Sequence, residues 1–270
     1  MKQEQRSIRA DAGLGLELYQ FKGIKQNFAT HFHEYYTIGS IEAGERIFVC
    51  NGQEHRLQPG DCMLINPFDK HSCAMVELAP LHFYSFNIGL ESMGGLMLEL
   101  SGRRNLPYFT VNALYTPEWG EAMRELKLMI EQNRPDSVKK KAYNWLMQRL
   151  LSAYSQPAPE ADHPEGNRTI RLVCEYLERH YDRNVTLDEL SALAGLSKYH
   201  LVRQFTREMG IPPGRYQQNI RIGQARRMLV HGAMPAEAAL GAGFADQSHF
   251  TNYFKNTIGL TPKVYRDSFQ

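Results

Sequence analysis

Two sets of side chains in this 270-residue sequence have the types and spacing to do chemistry. The first is rich in imidazole. His31 and His33 stand two apart, which on a strand puts both on one face, and His71 returns after turn signals at Gly44 and Pro59-Gly60-Asp61. Three imidazoles converging from neighbouring strands can ligate zinc, iron or nickel, or hydrogen-bond a small polar molecule. Tyr35, Arg46 and Tyr84 belong with them as candidates, because each joins a polar tip to an apolar body, as small-ligand sites require. The second set is helical. Leu201 and Phe205 are four apart and mark a buried face, which leaves His200, Arg203, Gln204 and Arg207 on the exposed one. Phe250 and Phe254 repeat that pair and leave Gln247, Ser248, Thr251, Asn252 and Lys255 exposed. Such side chains can bond base edges and phosphates in a DNA major groove.

The elements that must position these groups follow from composition and punctuation. A chain of this length implies two domains. No window approaches the roughly 18 uninterrupted apolar residues of a membrane span. The polar opening MKQEQRSIRADAG has no apolar segment of a secretion signal, so a cytoplasmic protein is expected. Cys50, Cys62, Cys73 and Cys174 fit neither a zinc ribbon nor a disulfide framework and are read as reduced, buried thiols. Net charge of +2 conceals an asymmetry: residues 168–270 hold 14 Lys and Arg against 9 Asp and Glu, while the remainder hold 17 against 20. Only the C-terminal part is basic, as a nucleic-acid partner demands.

The segment Ser155–Asn167, with three prolines and a glycine, can neither continue a helix nor build a core. Before it, short apolar runs such as YYTIGSI, RIFVC, CMLI and LHFYSFNI predict an all-β sandwich or barrel from about Leu14 to Val111. From Pro117 to Tyr154 the spacing becomes helical, with Trp119, Met123, Leu126 and Ile130 as one stripe and Thr116 and Asp136 as N-caps. The expected organisation is a barrel over 1–112, a helical dimerisation segment over 113–155, a linker over 156–167 and a DNA-binding domain over 168–270.

After the linker, helices are predicted over 168–181, 186–194, 197–209, 213–230, 235–242, 246–257 and 262–268. Thr186, Ser197 and Asp246 mark starts; Gly195, Gly210, Gly232 and Gly243 mark ends. Two stretches share one layout, a short Ala-rich helix, a glycine corner and a second helix, and Gly195-Leu196-Ser197 corresponds to Gly243-Phe244-Ala245. The 18-residue helix between them is about 27 Å long. Two recognition helices entering successive major grooves need about 34 Å, so one chain can read two adjacent groove segments.

Residues 168–270 resemble the DNA-binding domain of the AraC/XylS family of bacterial regulators. The resemblance rests on LSALAGLSKYHLVRQFTREMGIPPGRY, RIGQARRML and GFADQSHFTNYFKNTIGLTPKVYR. It implies that Tyr199, Val202 and Arg203 of the first recognition helix, and Gln247, Ser248, Thr251 and Asn252 of the second, face bases. Lys198, Arg207 and Lys255 are the phosphate candidates. Two residues depart from the pattern: Val202 is apolar where a hydrogen-bonding group is common, and Ala238 stands where the family usually has Ile. Upstream, HFHEYYTIGSIEAGERIF and LQPGDCMLINPFDKH resemble the double-stranded β-helix, or cupin, sensor domain of the same family. The fold class implied is α+β in two domains: a cupin-like barrel with a helical pair, then an all-α domain with two helix-turn-helix units.

Cupin enzymes usually carry a Glu four or five residues after the second His, where this sequence has Thr37 and Ile38. The histidines are therefore read as hydrogen-bonding groups of an effector pocket, and no cofactor is expected. The alternative is a metal-dependent cupin enzyme fused to a DNA-binding domain, with His31, His33 and His71 as ligands. Apolar Trp145, Leu146, Met147, Leu150 and Leu151 exceed what one helix face needs, and the resemblance implies a homodimer through the helix pair. It also implies activation, and with activation RNA polymerase as a partner beside double-stranded DNA and a small-molecule effector.

Overall fold

The structure, a computed structural model, describes residues 4–76, 79–158 and 168–269. By their contacts they form two units, Met1–Asn27 with Glu34–Pro159, and Phe28–His33 with Glu160–Gln270. The first half of the chain is strand-rich: β1 (Gln5–Asp11), β2 (Leu16–Ile24), β3 (Phe28–His31), β4 (Tyr35–Ala43), β5 (Arg46–Cys50), β6 (Gln53–Leu57), β7 (Cys62–Ile65), β8 (His71–Met75) and β9 (Leu81–Gly89). Then come α1 (Leu90–Ser101), β10 (Pro107–Phe109), β11 (Ala113–Leu114), α2 (Pro117–Glu131), α3 (Asp136–Tyr154) and β12 (Ser155–Pro157). Unit 1 contains a six-stranded antiparallel sheet in the order β1-β2-β9-β4-β7-β11, and from a second sheet the strands β8-β5-β6.

Strand alternation divides the large sheet into two buried faces. Leu18, Tyr36, Ile38, Leu64, Phe86 and Ile88 pack with Trp119, Met123, Leu126 and Ile130 of α2 and with Leu146, Met147 and Leu150 of α3 in one cluster. The stripe expected on α2 is thus its core face. The supposed apolar surplus of α3 is largely absorbed here too, since Leu146, Met147, Leu150 and Leu151 are buried and Trp145 alone is 52 % exposed. Two ion pairs fasten the helices to the sheet: Lys127 Nζ to Glu42 and Lys139 Nζ to Asp11, both at 2.5 Å.

Local expectations needed three corrections in unit 1. Helix α1 falls inside the stretch expected to be all-β, and its Gly94 and Gly95 lower helix propensity. Burial of Met93 and Leu96 overrides that, and Gly94 admits the Arg104 side chain to a distance a Cβ would crowd. Asp136 is not the cap of α3; Pro135 occupies that position, and Thr116 caps α2 without a side-chain bond. The linker does not begin at 156, because Ser155–Pro157 pair antiparallel with Pro107–Phe109. Residues 159–167 of the expected linker lie outside the described residues.

Unit 2 is helical: α4 (Arg168–Arg179), α5 (Leu187–Ala194), α6 (Lys198–Met209), α7 (Pro213–Val230), α8 (Pro235–Gly241), α9 (Gln247–Ile258) and α10 (Pro262–Asp267). All seven predicted helices are present, with ends displaced by no more than two residues. Val173, Leu177, Leu190, Leu201, Phe205 and Ile220 form the core of its first half.

Candidate nucleic-acid interface and effector face

Both helix pairs of unit 2 are built alike. Thr186 opens α5 with a reciprocal capping box: its hydroxyl accepts the Glu189 N–H, and the Glu189 carboxylate accepts the Thr186 N–H. Arg183 donates to the same carboxylate at 2.8 Å and holds its pKa down to about 2. Gly195 turns the chain at φ 64°, and Ser197 opens α6 by accepting the His200 N–H. In the second pair Gly243 turns at φ 82°, and Asp246 Oδ1 accepts the His249 N–H at 2.7 Å. Leu201, Phe205, Phe250 and Phe254 have no exposed surface. The i, i+4 pairs read from the sequence therefore fix the inward faces of both helices.

The outward faces follow. Lys198, Tyr199, His200, Arg203 and Arg207 of α6, and Gln247, Ser248, Asn252 and Lys255 of α9, are exposed; Val202 and Thr251 are half-buried. Tyr199 is 70 % exposed, an aromatic ring held in solvent with no core role. Lys198 is paired with Asp188 at 2.6 Å and Arg207 with Glu208 at 3.8 Å. Such exposed pairs contribute little and exchange readily for phosphate. The His249 ring lies 5.8 Å from Phe244 and 6.3 Å from Tyr253, an aromatic neighbourhood for this surface imidazole. Ala238 is fully buried beneath the second pair, with Ala239 and Ala242 beside it in α8 and at its end.

Sequence reasoning missed the residues that set one helix pair against the other. Arg221, near the middle of α7, is buried. It donates Nε to the Tyr181 carbonyl at 2.6 Å and Nη2 to the Arg183 carbonyl at 2.9 Å. Gln217, one turn earlier, donates to the carbonyls of His180 and Arg183. Arg221 also lies 5.8 Å from the centre of the Phe244 ring, at the corner of the second pair. The backbone of Asp182 closes on Gly243 so tightly that a Cβ there would overlap it. One loop is thus clamped between α7 and the second corner. The available signal was a cation and an amide on the apolar stretch of a long helix.

The effector candidates do not all share a face. Tyr35, Arg46 and His71 do lie on the faces of their strands that turn away from the helices. Tyr35 is in alternation with Thr37, Gly39 and Ile41 on β4, and Arg46 with Phe48 and Cys50 on β5. His71 stands opposite Cys50, and its Nδ1 bonds the Asp69 carbonyl at 2.9 Å. Tyr84 belongs to the other face. Its hydroxyl donates to the Gly120 carbonyl of α2, and Lys127 Nζ lies 4.9 Å over its ring, because alternation sends Tyr84 to the helices and Ser85 inward. Inward positions the sequence reading passed over are Thr37, Ser85 and Asn87, all buried, with Thr37 Oγ1 donating to Asn87 Oδ1 at 2.9 Å.

His31 and His33 depart further from expectation. The strand ends at His31, so strand alternation does not govern His33. Their segment groups with unit 2, where Phe32 packs 5.0 Å from the Tyr216 ring. Burial lowers the His31 pKa, and nearby Arg215 acts in the same direction. The two rings are 6.2 Å apart, while His71 belongs to unit 1. Among the described residues no group of three or more His, Cys, Asp or Glu is arranged to hold a metal ion. The thiols are held neutral by burial, which raises Cys50 and Cys62 to about 12 and Cys73 to about 11.

A sheet-built sensor unit followed by two capped helix-turn-helix units defines a DNA-binding transcription regulator. Family models agree with both halves: residues 13–146 match the AraC-like ligand binding domain and residues 190–268 a helix-turn-helix domain. The HTH-type transcriptional regulator YbfI of Bacillus subtilis is 41 % identical over 92 % of this chain and 90 % of its own. The transcriptional activator RhaS of Klebsiella pneumoniae is 24 % identical over 88 % and 87 %. Among solved structures, an apo form of ToxT from Vibrio cholerae superposes with a TM-score of 0.60 at 13 % identity, covering 97 % of this chain and 100 % of that one. The chain belongs to the AraC/XylS family of transcription regulators. Among the described residues no helix is long and apolar enough to cross a membrane.

Proposed function

We propose that this chain is a cytoplasmic, homodimeric transcription activator that reads two adjacent major-groove segments per protomer and is switched by a small polar metabolite bound between the sheets of unit 1. The observation that carries the DNA reading is the pair of capped helices α6 and α9, whose outward faces are polar and whose inward faces are fully buried. Tyr199, Val202 and Arg203 of α6 face bases, with Val202 meeting a thymine methyl. Gln247, Ser248, Thr251 and Asn252 do the same from α9, while Lys198, His200, Arg207 and Lys255 track the phosphates. Arg203 and Lys255 are exposed cations in the helices with no ion pair among the described residues, so both are available to DNA.

Effector contacts are assigned to Tyr35, Arg46 and His71, with Thr37, Ser85 and Asn87 added for their inward position. Dimerisation is assigned to α2 and α3, where Trp145 and, on α2, Leu128 are exposed apolar groups. Activation follows the named activity of the RhaS relatives and makes RNA polymerase a partner.

Genome-wide mapping of binding sites, with and without Arg203→Ala, tests the reading. Loss of the arginine should weaken binding by about 1–3 kcal/mol and relax preference at one base position. Lys255→Ala should instead weaken all sequences alike and flatten the salt dependence. An Arg203→Ala protein with unchanged affinity and unchanged sequence preference would remove α6 as the reading helix.

A further inference from the structure

Arg46 is the largest side chain in unit 1 with no exposed surface. It lies on the inward face of β5 between Phe48 and the turn at Gly44, and Nη2 crosses to the Ile24 carbonyl at the end of β2 at 2.9 Å. Nη1 reaches the neighbouring Glu45 carbonyl at 3.2 Å, and Nε–H has no partner among the described residues. A guanidinium offers five N–H donors, and here two are used, both on neutral acceptors.

No carboxylate among the described residues balances this charge. The described acids near it in sequence are committed elsewhere. Glu42 pairs with Lys127, and Glu45 turns outward to Arg56 at 2.6 Å. Asp61 accepts the Gln58 N–H, and Asp69 accepts from Asn51 and Asn66. The titratable group that senses Arg46 is the half-buried Cys73 thiol, which is neutral. Desolvation accordingly lowers the Arg46 pKa. A buried ion lacking its counter-ion costs several kcal/mol, and proteins keep such strain where a ligand relieves it.

We propose that Arg46 is the anchor of the effector site and that the effector is an anion carrying a carboxylate, seated side-on against the free Nε–H. This rests on the effector reading above and narrows it to one chemical class. A carboxylate takes two parallel N–H···O bonds from a guanidinium, supplies the missing charge, and is strengthened by the low dielectric between the sheets. A neutral sugar would satisfy the donors and leave the charge unbalanced.

The test uses the full-length protein, thermal unfolding, and matched probes: acetate, lactate and gluconate as sodium salts, against acetamide, glycerol and glucose, at constant ionic strength with sodium chloride. The inference expects at least one carboxylate to raise the melting temperature by about 2–4 °C or more, with its neutral counterpart inactive. Arg46→Met should abolish that shift, and Arg46→Lys should weaken it by losing the fork. Without probe, Arg46→Met should melt no lower than wild type, because an apolar chain of similar reach replaces an unbalanced charge. Three melting results with the carboxylates and the Arg46→Met protein would overturn the inference. One is a wild type unmoved by every carboxylate; another is a shift that survives in Arg46→Met. The third is an Arg46→Met protein that melts well below wild type, which would make the arginine a clip on the Ile24 and Glu45 carbonyls. A neutral probe that alone shifts the wild type and changes its DNA affinity would overturn the anion while keeping the effector reading. A carboxylate that binds through Arg46 without changing DNA affinity would keep the anion site and remove the switch.

Discussion

Replacing Arg221 with alanine should loosen the second helix-turn-helix unit from the first. Its two charge-assisted bonds, at 2.6 and 2.9 Å, end on the Tyr181 and Arg183 carbonyls. Each such bond to a charged group is worth about 1.5–3 kcal/mol. The gross loss of two is offset by the desolvation that the buried guanidinium no longer suffers. The Arg183 carbonyl also keeps the Gln217 amide at 2.9 Å, so one acceptor is orphaned rather than two. The expected net loss is therefore about 2–3 kcal/mol, within the range for breaking a buried polar network. A helical unit of about 100 residues shifts roughly 4–8 °C per kcal/mol, so its thermal transition should fall on the order of 10 °C. Far-UV circular dichroism of the full chain reads that transition, and footprinting on an operator with both groove segments reads the functional effect. Protection of the segment under α9 should decay before that under α6. Arg221→Lys should fall between the two proteins, since it retains the charge without the fork. A loss below about 0.5 kcal/mol with an intact two-segment footprint would refute the clamp.

The two corner glycines should behave unequally. Gly195→Ala meets only the left-handed backbone penalty of about 1–2 kcal/mol, because a Cβ there enters open space. Gly243→Ala adds overlap with the Asp182 backbone and should cost clearly more by chemical denaturation; equal losses would count against that packing. The Glu189 carboxylate gives a pH signature. Its folded pKa of about 2, set first by the Arg183 bond, is depressed below the usual carboxylate value, so its contribution is present above about pH 4.5 and is lost as pH falls toward 2. Glu189→Gln should flatten that acid limb in a helicity titration, and an unchanged limb would mean the box contributes nothing.

How much was legible depends on whether local or distant groups decide the outcome. The helices of unit 2 were readable because several carry their own start or stop: Thr186, Ser197 and Asp246 bond N–H groups three residues on, and Gly195, Gly210 and Gly243 adopt positive φ. Capping acts within one turn, so sequence neighbours suffice. The recognition faces were readable for the same reason, since helix period ties exposure of Arg203 and Asn252 to burial of Leu201 and Phe250. In the sheets, Tyr35, Arg46 and Tyr84 were singled out by a polar tip on an apolar body, and that signal could not say which buried face meets helices.

That choice was tertiary. Tyr84 turned to α2 and Ser85 turned inward because α2 and α3 cover only one side of the large sheet, a fact set by residues more than thirty positions away. Helix α1 formed against local propensity because the cluster around Met93 and Leu96 needed covering. His33 escapes strand alternation because strand β3 stops at His31, and Phe32 is buried against Tyr216. The sequence by itself determined a repeated, self-capped helical reader and an alternating sheet ahead of it. Only the folded chain decided which polar groups lie together between the sheets, because burial on a sheet with two covered faces depends on what packs there and not on the residue's neighbours.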